Sequence, residues 1–256
     1  MTRTRQPLTL EQEPHLAVRS FACDYSSGTT IEPHFHEWHQ LLYATSGAMS
    51  VHAGDRSWMI PPGKAVVIPQ SCRHTIRMWG EVAMRSLVFP SGRAAAVIAA
   101  GGCRVISVTP LLRELILRVV DAPALDERVP ADLRLLGVLL DEIAAAPEAP
   151  LWLPLPSEAH ALAVARRVLA NPAGEETLDR HARLCGAGRR TLERLFRAQT
   201  GLSFGLWRQK ARMLFAVRLL SEGRSVTDTA LDSGYKSVSA FIAAFKQTFG
   251  CTPGKL

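Results

Sequence analysis

The sequence predicts a multidomain α+β protein, in which an N-terminal β-barrel with added helices precedes an all-α C-terminal domain with two helix-turn-helix units. Three observations support this fold class. Residues 16–90 alternate short strand-like segments with turn residues, residues 157–256 show only helical periodicity, and the two parts differ in charge. From Leu151 onward lie 16 of the 30 Lys and Arg residues but only 8 of the 23 Asp and Glu residues, so this part carries a balance of +8 and the preceding part −1.

The composition narrows the classes of protein to consider. A chain of 256 residues that is 47% hydrophobic is long and apolar enough for two buried cores, which argues against disorder. No apolar run approaches the roughly 18 residues of a membrane span, and no secretory signal is expected at the N-terminus. Five scattered cysteines without a CxxC pair argue against a disulfide framework or a zinc finger, so a cytoplasmic location is predicted.

The N-terminal part is predicted to be a short arm followed by a barrel. Residues 1–15 are polar and contain two prolines, which indicates a flexible arm. Many short strands separated by turns are typical of barrels and sandwiches, and residues 16–90 are therefore predicted to form a β-barrel. The predicted strands are Leu16–Tyr25, Gln40–Thr45, Ala48–Ala53, Arg56–Ile60, Ala65–Ile68, Arg73–Met78 and Val82–Phe89.

Residues 91–146 are predicted to be a helical packing or dimerisation segment. Helices are expected over Ala94–Ala100, Pro110–Val120 and Ala131–Ala146, and the last two carry leucines at helical spacing. These apolar faces can pack on the barrel or on a second subunit, and the spacing does not distinguish the two. Four prolines between residues 147 and 156 resist regular structure and predict a stiff linker.

Residues 157–256 are predicted to be an all-helical DNA-binding domain. Glycines and an Asn-Pro pair divide this part into helices over Ser157–Ala170, Thr177–Cys185, Arg189–Thr200, Ser203–Glu222, Val226–Ser233 and Ser237–Phe249. The excess of basic residues found here is typical of a nucleic-acid-binding domain.

A repeat within this domain predicts two helix-turn-helix units. Ala182 and Gly186 recur 48 residues later as Ala230 and Gly234. In each copy the alanine allows two helices to approach closely and the glycine allows the sharp turn between them, so the following helix is placed as a recognition helix. The long helix between the copies is predicted to hold the recognition helices about one DNA turn, roughly 34 Å, apart.

These motifs resemble those of the AraC/XylS family of bacterial transcription regulators, over the whole of residues 157–256. The matching positions include Arg190-Thr191-Leu192-x-Arg194-x-Phe196, Ala230-x-x-x-Gly234-Tyr235 and Ser239-Ala240-Phe241-x-x-Ala244-Phe245-Lys246. The sequence departs from the family pattern at Gly188, where serine is usual, and at His181, where an apolar residue is usual. The departure at His181 predicts that the first helix-turn-helix unit is less stable.

Ten residues are predicted to contact DNA. Arg190 and Arg194 lie on one helical face and are the preferred base readers, because arginine bonds both acceptors of guanine in the major groove. Glu193 is predicted either to accept from a cytosine amine or to pair with a neighbouring arginine. Phosphate contacts or plain solvation are expected for Arg189 and Arg197. The second helix-turn-helix unit is predicted to contribute mainly phosphate contacts. The remaining predicted DNA contacts are Thr191, Lys236, Ser237, Ser239 and Lys246.

A histidine-rich segment, Pro33-His34-Phe35-His36-Glu37-Trp38-His39-Gln40, lies before a predicted strand. His34 and His36 alternate along an extended chain and are expected on one face, with His39 on the other. Together with His74 and Gln40, they resemble the metal-binding motifs of cupins, whose double-stranded β-helix barrel is the usual sensor domain in one branch of the resembled family. The resemblance implies a metal- or effector-binding site at His34, His36, Gln40 and His74.

The nature of this site stays open from the sequence. Gln40 stands where cupins have a glutamate, and a neutral amide is a weaker ligand for a divalent cation than a carboxylate. Three imidazoles still suit a transition metal, namely Zn, Ni, Fe or Cu. The alternatives are a small-molecule pocket lined by these histidines, or histidines that only satisfy the structure.

The predicted function is a sequence-specific transcription regulator whose barrel senses a small molecule or a divalent metal. Its predicted partners are double-stranded promoter DNA, the effector, RNA polymerase and a second copy of the chain, with no membrane and a location at the bacterial nucleoid. No catalytic residues are predicted. The alternatives are a metal-dependent cupin enzyme that carries an accessory DNA-binding domain, and a non-specific nucleoid-binding protein, which a salt-dependent affinity without sequence preference would indicate.

Overall fold

The computed structural model of the chain describes residues 15–90, 97–98, 102–122 and 124–255. Nearly all of the predicted arm at residues 1–15 and most of the predicted helix Ala94–Ala100 lie outside these residues. The chain divides into two compact units. The first contains residues 1–53 and 60–149, and the second contains residues 54–59 and 150–256. The predicted combination of a β-rich N-terminal part and a helical C-terminal part is confirmed.

The first unit contains a six-stranded antiparallel sheet with the strand order β10-β1-β8-β3-β6-β9. Its central strands are buried on one or both faces, which explains why residues 41–44 of the central strand β3 are a continuous apolar run rather than an alternation. The strands are β1 at Leu16–Tyr25, β3 at His39–Ala44, β6 at Lys64–Ile68, β8 at Val82–Phe89, β9 at Arg104–Ser107 and β10 at Ala124–Asp126.

Three further strands of the first unit pair with one another: β2 at Thr30–His34, β4 at Ala48–Ala53 and β7 at His74–Trp79. Strand β7 is antiparallel to both β2 and β4. The register places His34 opposite His74, with an irregularity between Ile31 and His34. The sequence did not predict β2, because Pro33 interrupts a segment that has no clear alternation.

Two helices of the first unit, α1 at Pro110–Asp121 and α2 at Pro130–Ala145, pack on the six-stranded sheet. Their leucines join a core that also contains Val18, Leu41, Leu87 and Phe89. Packing on the barrel therefore accounts for these apolar faces, although Leu111 on α1 remains exposed. Residues 91–146 also contain two strands that were not predicted, β9 and β10, which pair with β6 and β1 as edge strands.

The second unit contains a short strand pair in addition to its helices. Strand β11 at Trp152–Pro154 is antiparallel to β5 at Arg56–Ile60, with Trp152 opposite Trp58 and Pro154 opposite Arg56. The four prolines predicted that residues 147–156 lack regular structure, but strand β11 lies within them. Pro154 is compatible with a strand here because an edge position leaves no ladder bond that needs its missing N–H.

The six helices described in the second unit are close to the predicted ones: α3 at Ala159–Ala170, α4 at Leu178–Leu184, α5 at Arg189–Thr200, α6 at Phe204–Ser221, α7 at Val226–Asp232 and α8 at Val238–Phe249. Most begin with a side-chain cap. The hydroxyls of Thr177, Ser203, Ser225 and Ser237 accept from first-turn backbone amides of α4, α6, α7 and α8.

Candidate DNA-binding surface and histidine cluster

The second unit contains two helix-turn-helix motifs, formed by α4 with α5 and by α7 with α8. Ala182 and Ala230 are buried where the paired helices meet. Gly186 and Gly234 adopt left-handed φ values of 67° and 78°, as the turns between the helices require. A side chain at Gly234 would also place its Cβ 3.0 Å from the carbonyl oxygen of Ala173.

The first recognition helix, α5, is held by a small apolar core. Leu192 and Phe196 are fully buried, and the Phe196 ring makes edge contacts with Phe204 and Trp207 at centroid distances of 5.2 Å. Burying one face in this way leaves the opposite face of α5 in solvent. Arg190, Thr191, Glu193, Arg194 and Arg197 all lie on that exposed face.

The arginines of α5 fall into two groups. Arg189 is bound at the surface, where its Nη1 donates to Asp179 Oδ2 at 2.9 Å and its Nε donates to Glu193 Oε1 at 3.2 Å. The hydrogen bond to Glu193 is the main reason that the pKa of Arg189 is raised. Within the described residues Arg190, Arg194 and Arg197 form no hydrogen bond or ion pair. These three guanidinium groups line an open groove that also contains Ser203 and Phe204.

The start of α5 favours an anionic partner. Gly188 provides no side-chain cap, so the first-turn amides of α5 keep their donors, and these amides carry the positive end of the helix dipole. Arg189 and Arg190 add charge of the same sign in that turn. Positive side chains at this end of a helix repel the dipole in isolation, but a phosphate bound at the helix start makes their presence favourable.

The second recognition helix, α8, presents a less polar outer face. Phe241 and Phe245 are fully buried, while Lys236, Ser239 and Lys246 are exposed. Ser237 caps the helix, with its Oγ accepting from the amide of Ala240 at 3.2 Å, and its hydroxyl proton remains available to a phosphate. Among the other exposed positions of α8, Ala240 and Ala243 offer no hydrogen bond to a base edge, and Gln247 in the last turn carries an amide.

Two arginines of the connecting helix α6 have a structural role. Arg212 donates to the carbonyls of Pro172, Ala173 and Gly174 at 2.9, 3.3 and 3.0 Å. Arg208 donates to the carbonyl of Glu176 at 2.7 Å. These bonds attach α6 to the loop between α3 and α4, so part of the positive charge of this unit stabilises the fold.

His181, the departure from the family pattern, is buried in the core of the first motif. Its ring lies edge-on to Phe204, and its Nδ1 is 3.5 Å from Glu176 Oε2, within ion-pair range but without a hydrogen bond. Burial lowers the pKa of His181, because the charged ring loses its hydration.

In the first unit three histidine rings lie together, and we call His34, His36 and His74 the histidine cluster. The ring centroids of His34 and His74 are 4.3 Å apart, those of His36 and His74 are 5.2 Å apart, and those of His34 and His36 are 6.1 Å apart. His36 and His74 are buried and His34 is half-buried. His34 and His74 meet because they are partners across β2 and β7.

Each ring of the histidine cluster is oriented by a backbone carbonyl. The Nδ1 atoms of His34, His36 and His74 lie 2.8, 2.7 and 2.9 Å from the carbonyl oxygens of Glu32, Trp38 and Cys72. A carbonyl oxygen only accepts, so each Nδ1 carries the proton and each Nε2 of the neutral ring is an acceptor. The cluster therefore presents acceptors rather than donors.

Gln40 bridges the histidine cluster to strand β8. Its side-chain oxygen lies 2.9 Å from His36 Nε2, and its nitrogen lies 2.8 Å from Ser86 Oγ. With His36 neutral, both neighbours are satisfied when the amide is turned by 180°, so that its nitrogen donates to His36 and its oxygen accepts from Ser86. Burial is the main cause that lowers the pKa of His36 and supports the neutral form.

Two neighbours of the cluster were not among the predicted site residues. Trp38 stacks on His36 with ring centroids 5.0 Å apart, and His39 is buried with its Nδ1 accepting from the amide of Gln70. The side-chain atoms Trp38 Nε1, His39 Nε2 and His74 Nε2 are buried without a hydrogen-bond partner in the described part of the chain. Buried polar atoms in native proteins are nearly always paired, so beside His36 the Trp38 indole offers a donor and His74 Nε2 offers an acceptor to a ligand.

The described residues contain no preformed metal site. Within residues 15–90, 97–98, 102–122 and 124–255, no group of three or more His, Cys, Asp or Glu side chains is arranged to hold a metal ion. Gln40 uses its amide on His36 and Ser86, as described above. The donor set that remains fits a polar organic ligand better than a cation.

We predict that acid destabilises the first unit through His74. Burial lowers the pKa of His74 to about 4, whereas a histidine in the unfolded chain has a pKa of about 6.5. The unfolded state therefore binds the proton more readily between these values, and the stabilising contribution present above pH 6.5 is lost as the pH falls toward 4. Between pH 7 and pH 5 we expect a loss of about 2 kcal/mol from this group.

Urea unfolding of the full chain at pH 7 and pH 5 checks this expectation, with His74→Gln as the comparison. The midpoint of the wild-type protein should fall more steeply with acid than that of the variant. Equal pH dependence in the two proteins would show that the His74 proton does not contribute.

Comparison with known proteins assigns both units to described families. A profile for an AraC-like ligand binding domain matches residues 19–139, and a profile for a helix-turn-helix domain matches residues 181–256. The HTH-type transcriptional regulator NimR of Escherichia coli strain K12 is 32% identical over 242 residues, which cover 94% of this chain and 88% of NimR.

Other similarities are more limited. The HTH-type transcriptional regulator RipA of Corynebacterium glutamicum is 37% identical over 100 residues, or 39% of this chain and 30% of RipA. The crystal structure of ToxT from Vibrio cholerae covers 93% of this chain and 96% of that chain at 13% identity, with a TM-score of 0.39, and likeness at this level supports no inference about ligands. In the described part of the chain, no helix has both the length and the apolarity to cross a membrane.

Proposed function

Since this chain belongs to the AraC family of DNA-binding transcription regulators with an N-terminal ligand-binding domain, we propose that its histidine cluster is the effector site. The observation that carries this proposal is the pair of buried, unpaired atoms Trp38 Nε1 and His74 Nε2, on two rings that both contact His36. An effector that donates a hydrogen bond to His74 Nε2 and accepts one from the Trp38 indole satisfies both. The proposed effector is therefore a small polar molecule with both donors and acceptors.

On the DNA side, we propose that Arg190 and Arg194 read bases while Arg197 and the second motif hold phosphates. The two arginines are four residues apart on the exposed face of α5 and have no partner among the described residues, so their donors are available to guanine. Glu193 binds Arg189 instead, which removes the main support for its contact to a cytosine. Arg189 is proposed to position α5 rather than to contact DNA.

A divalent transition metal is the second candidate for the effector. One observation favours it, since the three Nδ1 atoms are all held by backbone carbonyls, as the second nitrogen of a metal-binding histidine commonly is. His34, His36 and His74 would then supply the nitrogen ligands. The relatives described above are transcription regulators, which supports a regulator rather than a metal-dependent enzyme.

The remaining partners follow from the same proposal. A homodimer would place two copies of the helix-turn-helix pair on one promoter, and Leu111 of α1 and Val138 of α2 are exposed apolar side chains that could contribute to its interface. Contact with RNA polymerase and action at the nucleoid of a bacterial cytoplasm are further parts of the proposal. An effector changes transcription only if it binds the DNA-competent and incompetent states with different affinity.

We expect the double variant His34→Ala/His36→Ala to bind DNA but to lose its response to the effector. The protein variants are compared in the native host under conditions that induce the genes beside its own. The matched control is His52→Ala, an exposed histidine on the neighbouring strand β4. Footprints on DNA flanking the gene should be the same for all three proteins, while the regulatory range, about 5- to 150-fold for a typical coupling, should collapse only in the double variant.

Elemental analysis of the same proteins separates the two candidates. About one bound Zn, Ni, Fe or Cu per chain in the wild type, lost in the double variant, would replace the small-molecule effector by a metal. A double variant that responds as the wild type does would remove the histidine cluster from the sensing role altogether.

A further inference from the structure

Two cysteines of the first unit lie next to each other through the pairing of β6 and β9. The antiparallel register sets Val67 opposite Arg104, so Cys103 faces the end of β6, where the chain enters the loop that contains Cys72. The thiols of Cys72 and Cys103 are hydrogen-bonded to each other. Both residues are partly exposed, so a small solute in the solvent can reach them.

The loop that carries Cys72 is bonded directly to the surroundings of the histidine cluster. The amide of Ser71 donates to the carbonyl of His36 at 2.8 Å, and the amide of Gln70 donates to His39 Nδ1 at 3.2 Å. The carbonyl of Cys72 itself accepts from His74 Nδ1 at 2.9 Å. Any displacement of Cys72 therefore changes the support of His74.

The same loop contains backbone strain beside the cysteine. Ser71 has φ of 58°, and it is the one non-glycine residue in the described part of the chain with a positive φ. The strain is held by the bond from Ser71 to His36 and by a hydrogen bond from Ser71 Oγ to Glu37 at 3.4 Å. A loop held in this way has a second arrangement available when those bonds are released.

We propose that Cys72 and Cys103 are a redox site, at which a peroxide forms a reversible intramolecular disulfide that rearranges the loop supporting His74. Oxidation of the two cysteines would regulate the protein independently of the effector. It goes beyond the proposed function, because it needs no ligand in the histidine cluster.

The chemistry needs only the two thiols and the peroxide. The Cys72 thiolate attacks one peroxide oxygen, the O–O bond breaks, and Cys72 becomes a sulfenic acid while the other oxygen leaves as water. Cys103 then attacks the sulfenic sulfur, the S–S bond forms, and a second water leaves. The two thiols lose two electrons and two protons in total, and a cellular dithiol reverses the step by thiol–disulfide exchange.

Cys72 acts first and Cys103 resolves the sulfenic acid, because Cys72 lies in the loop whereas Cys103 directly precedes β9. The sulfur atoms then have to approach from hydrogen-bond contact to about 2.05 Å. We place this movement in the loop of Cys72, because β6 and β9 fix Cys103 from one side.

The test uses the purified full chain, with hydrogen peroxide as the oxidant and dithiothreitol as the reductant. After oxidation, alkylation and digestion, mass spectrometry should find a peptide pair linked through Cys72 and Cys103, and the free thiols should fall from five to three. Dithiothreitol should restore five. Cys23→Ser is the matched control in the same unit and should fall from four to two, whereas Cys103→Ser should show no linked pair.

Absence of the linked pair in the wild type, or equal oxidation of Cys23, overturns the proposal. The second readout is the ring proton resonance of His74, assigned with His74→Gln. We expect oxidation to shift this resonance in the wild type and in Cys23→Ser, and to leave it unchanged in Cys103→Ser. A disulfide that forms without moving the resonance would equally refute the proposed rearrangement.

Discussion

Replacing both Arg190 and Arg194 by alanine is expected to weaken operator binding by about 2–6 kcal/mol, since each arginine that reads a guanine contributes about 1–3 kcal/mol. Both side chains are exposed on α5 and have no partner in the described residues, so their removal costs the fold little. The measurement is equilibrium binding to the footprinted operator and to random DNA of equal length at one salt concentration. Most of the loss should occur on the operator, because base contacts carry the sequence preference.

Arg189→Ala is the control for this prediction. It removes the same charge from the same helix, but its guanidinium group is bound to Asp179 and Glu193 rather than free in the groove. We expect a smaller loss that is similar on operator and random DNA. If the double variant also loses affinity equally on both DNAs, Arg190 and Arg194 contact phosphates and the base-reading role is wrong.

Trp207→Ala is expected to destabilise the second unit by about 3–5 kcal/mol, the cost of truncating a large buried aromatic side chain. Trp207 is fully buried, packs on Phe196 of the recognition helix, and donates from Nε1 to the carbonyl of Pro154 on β11 at 2.6 Å. Its loss leaves a cavity behind α5 and an unpaired buried carbonyl. Thermal unfolding should show a lower Tm, and DNA binding should fall with the folded fraction.

The control variant Trp207→Phe separates packing from the hydrogen bond. Phenylalanine keeps most of the apolar volume and loses the indole N–H, so we expect a cost of about 1–3 kcal/mol for the unsatisfied carbonyl together with the smaller ring. An alanine variant as stable as the phenylalanine variant would mean that the helices close over the cavity and that the packing of Trp207 is not what holds α5.

Where local patterns decide the structure, the sequence predicted it well. The bounds of α5, β1 and β8 agree residue for residue, because their apolar spacing and their flanking turns leave no alternative. Strands β9, β10 and β11 were missed since each has only three or four residues and is stabilised by pairing with a distant strand. No window of the sequence contains that information.

The candidate sites show the same division. The exposed face of α5 follows from helical periodicity alone, but the pairing of Arg189 with Asp179 depends on how α4 packs against α5. The alternation rule was applied to His34 and His36 as if the strand continued, whereas β2 ends at His34. What brings His34 to His74 is the register of β2 and β7, and Trp38 joins them through an irregular segment that no periodicity predicts.

The second unit takes residues 54–59 from the N-terminal half of the sequence, and this affects how such regulators are recombined. Strand β11 pairs with β5, and the guanidinium group of Arg56 and the ammonium group of Lys210 lie 4.7 and 4.5 Å from the centroid of the Trp152 ring. A chimera joined at a single point near residue 157 would combine foreign β5 and β11 strands with the native α6 and would replace Trp152, the contact of Lys210. Sensor exchange within this family should therefore use three junctions, near residues 53, 59 and 149, so that β5 and β11 are inherited together with the helix-turn-helix motifs.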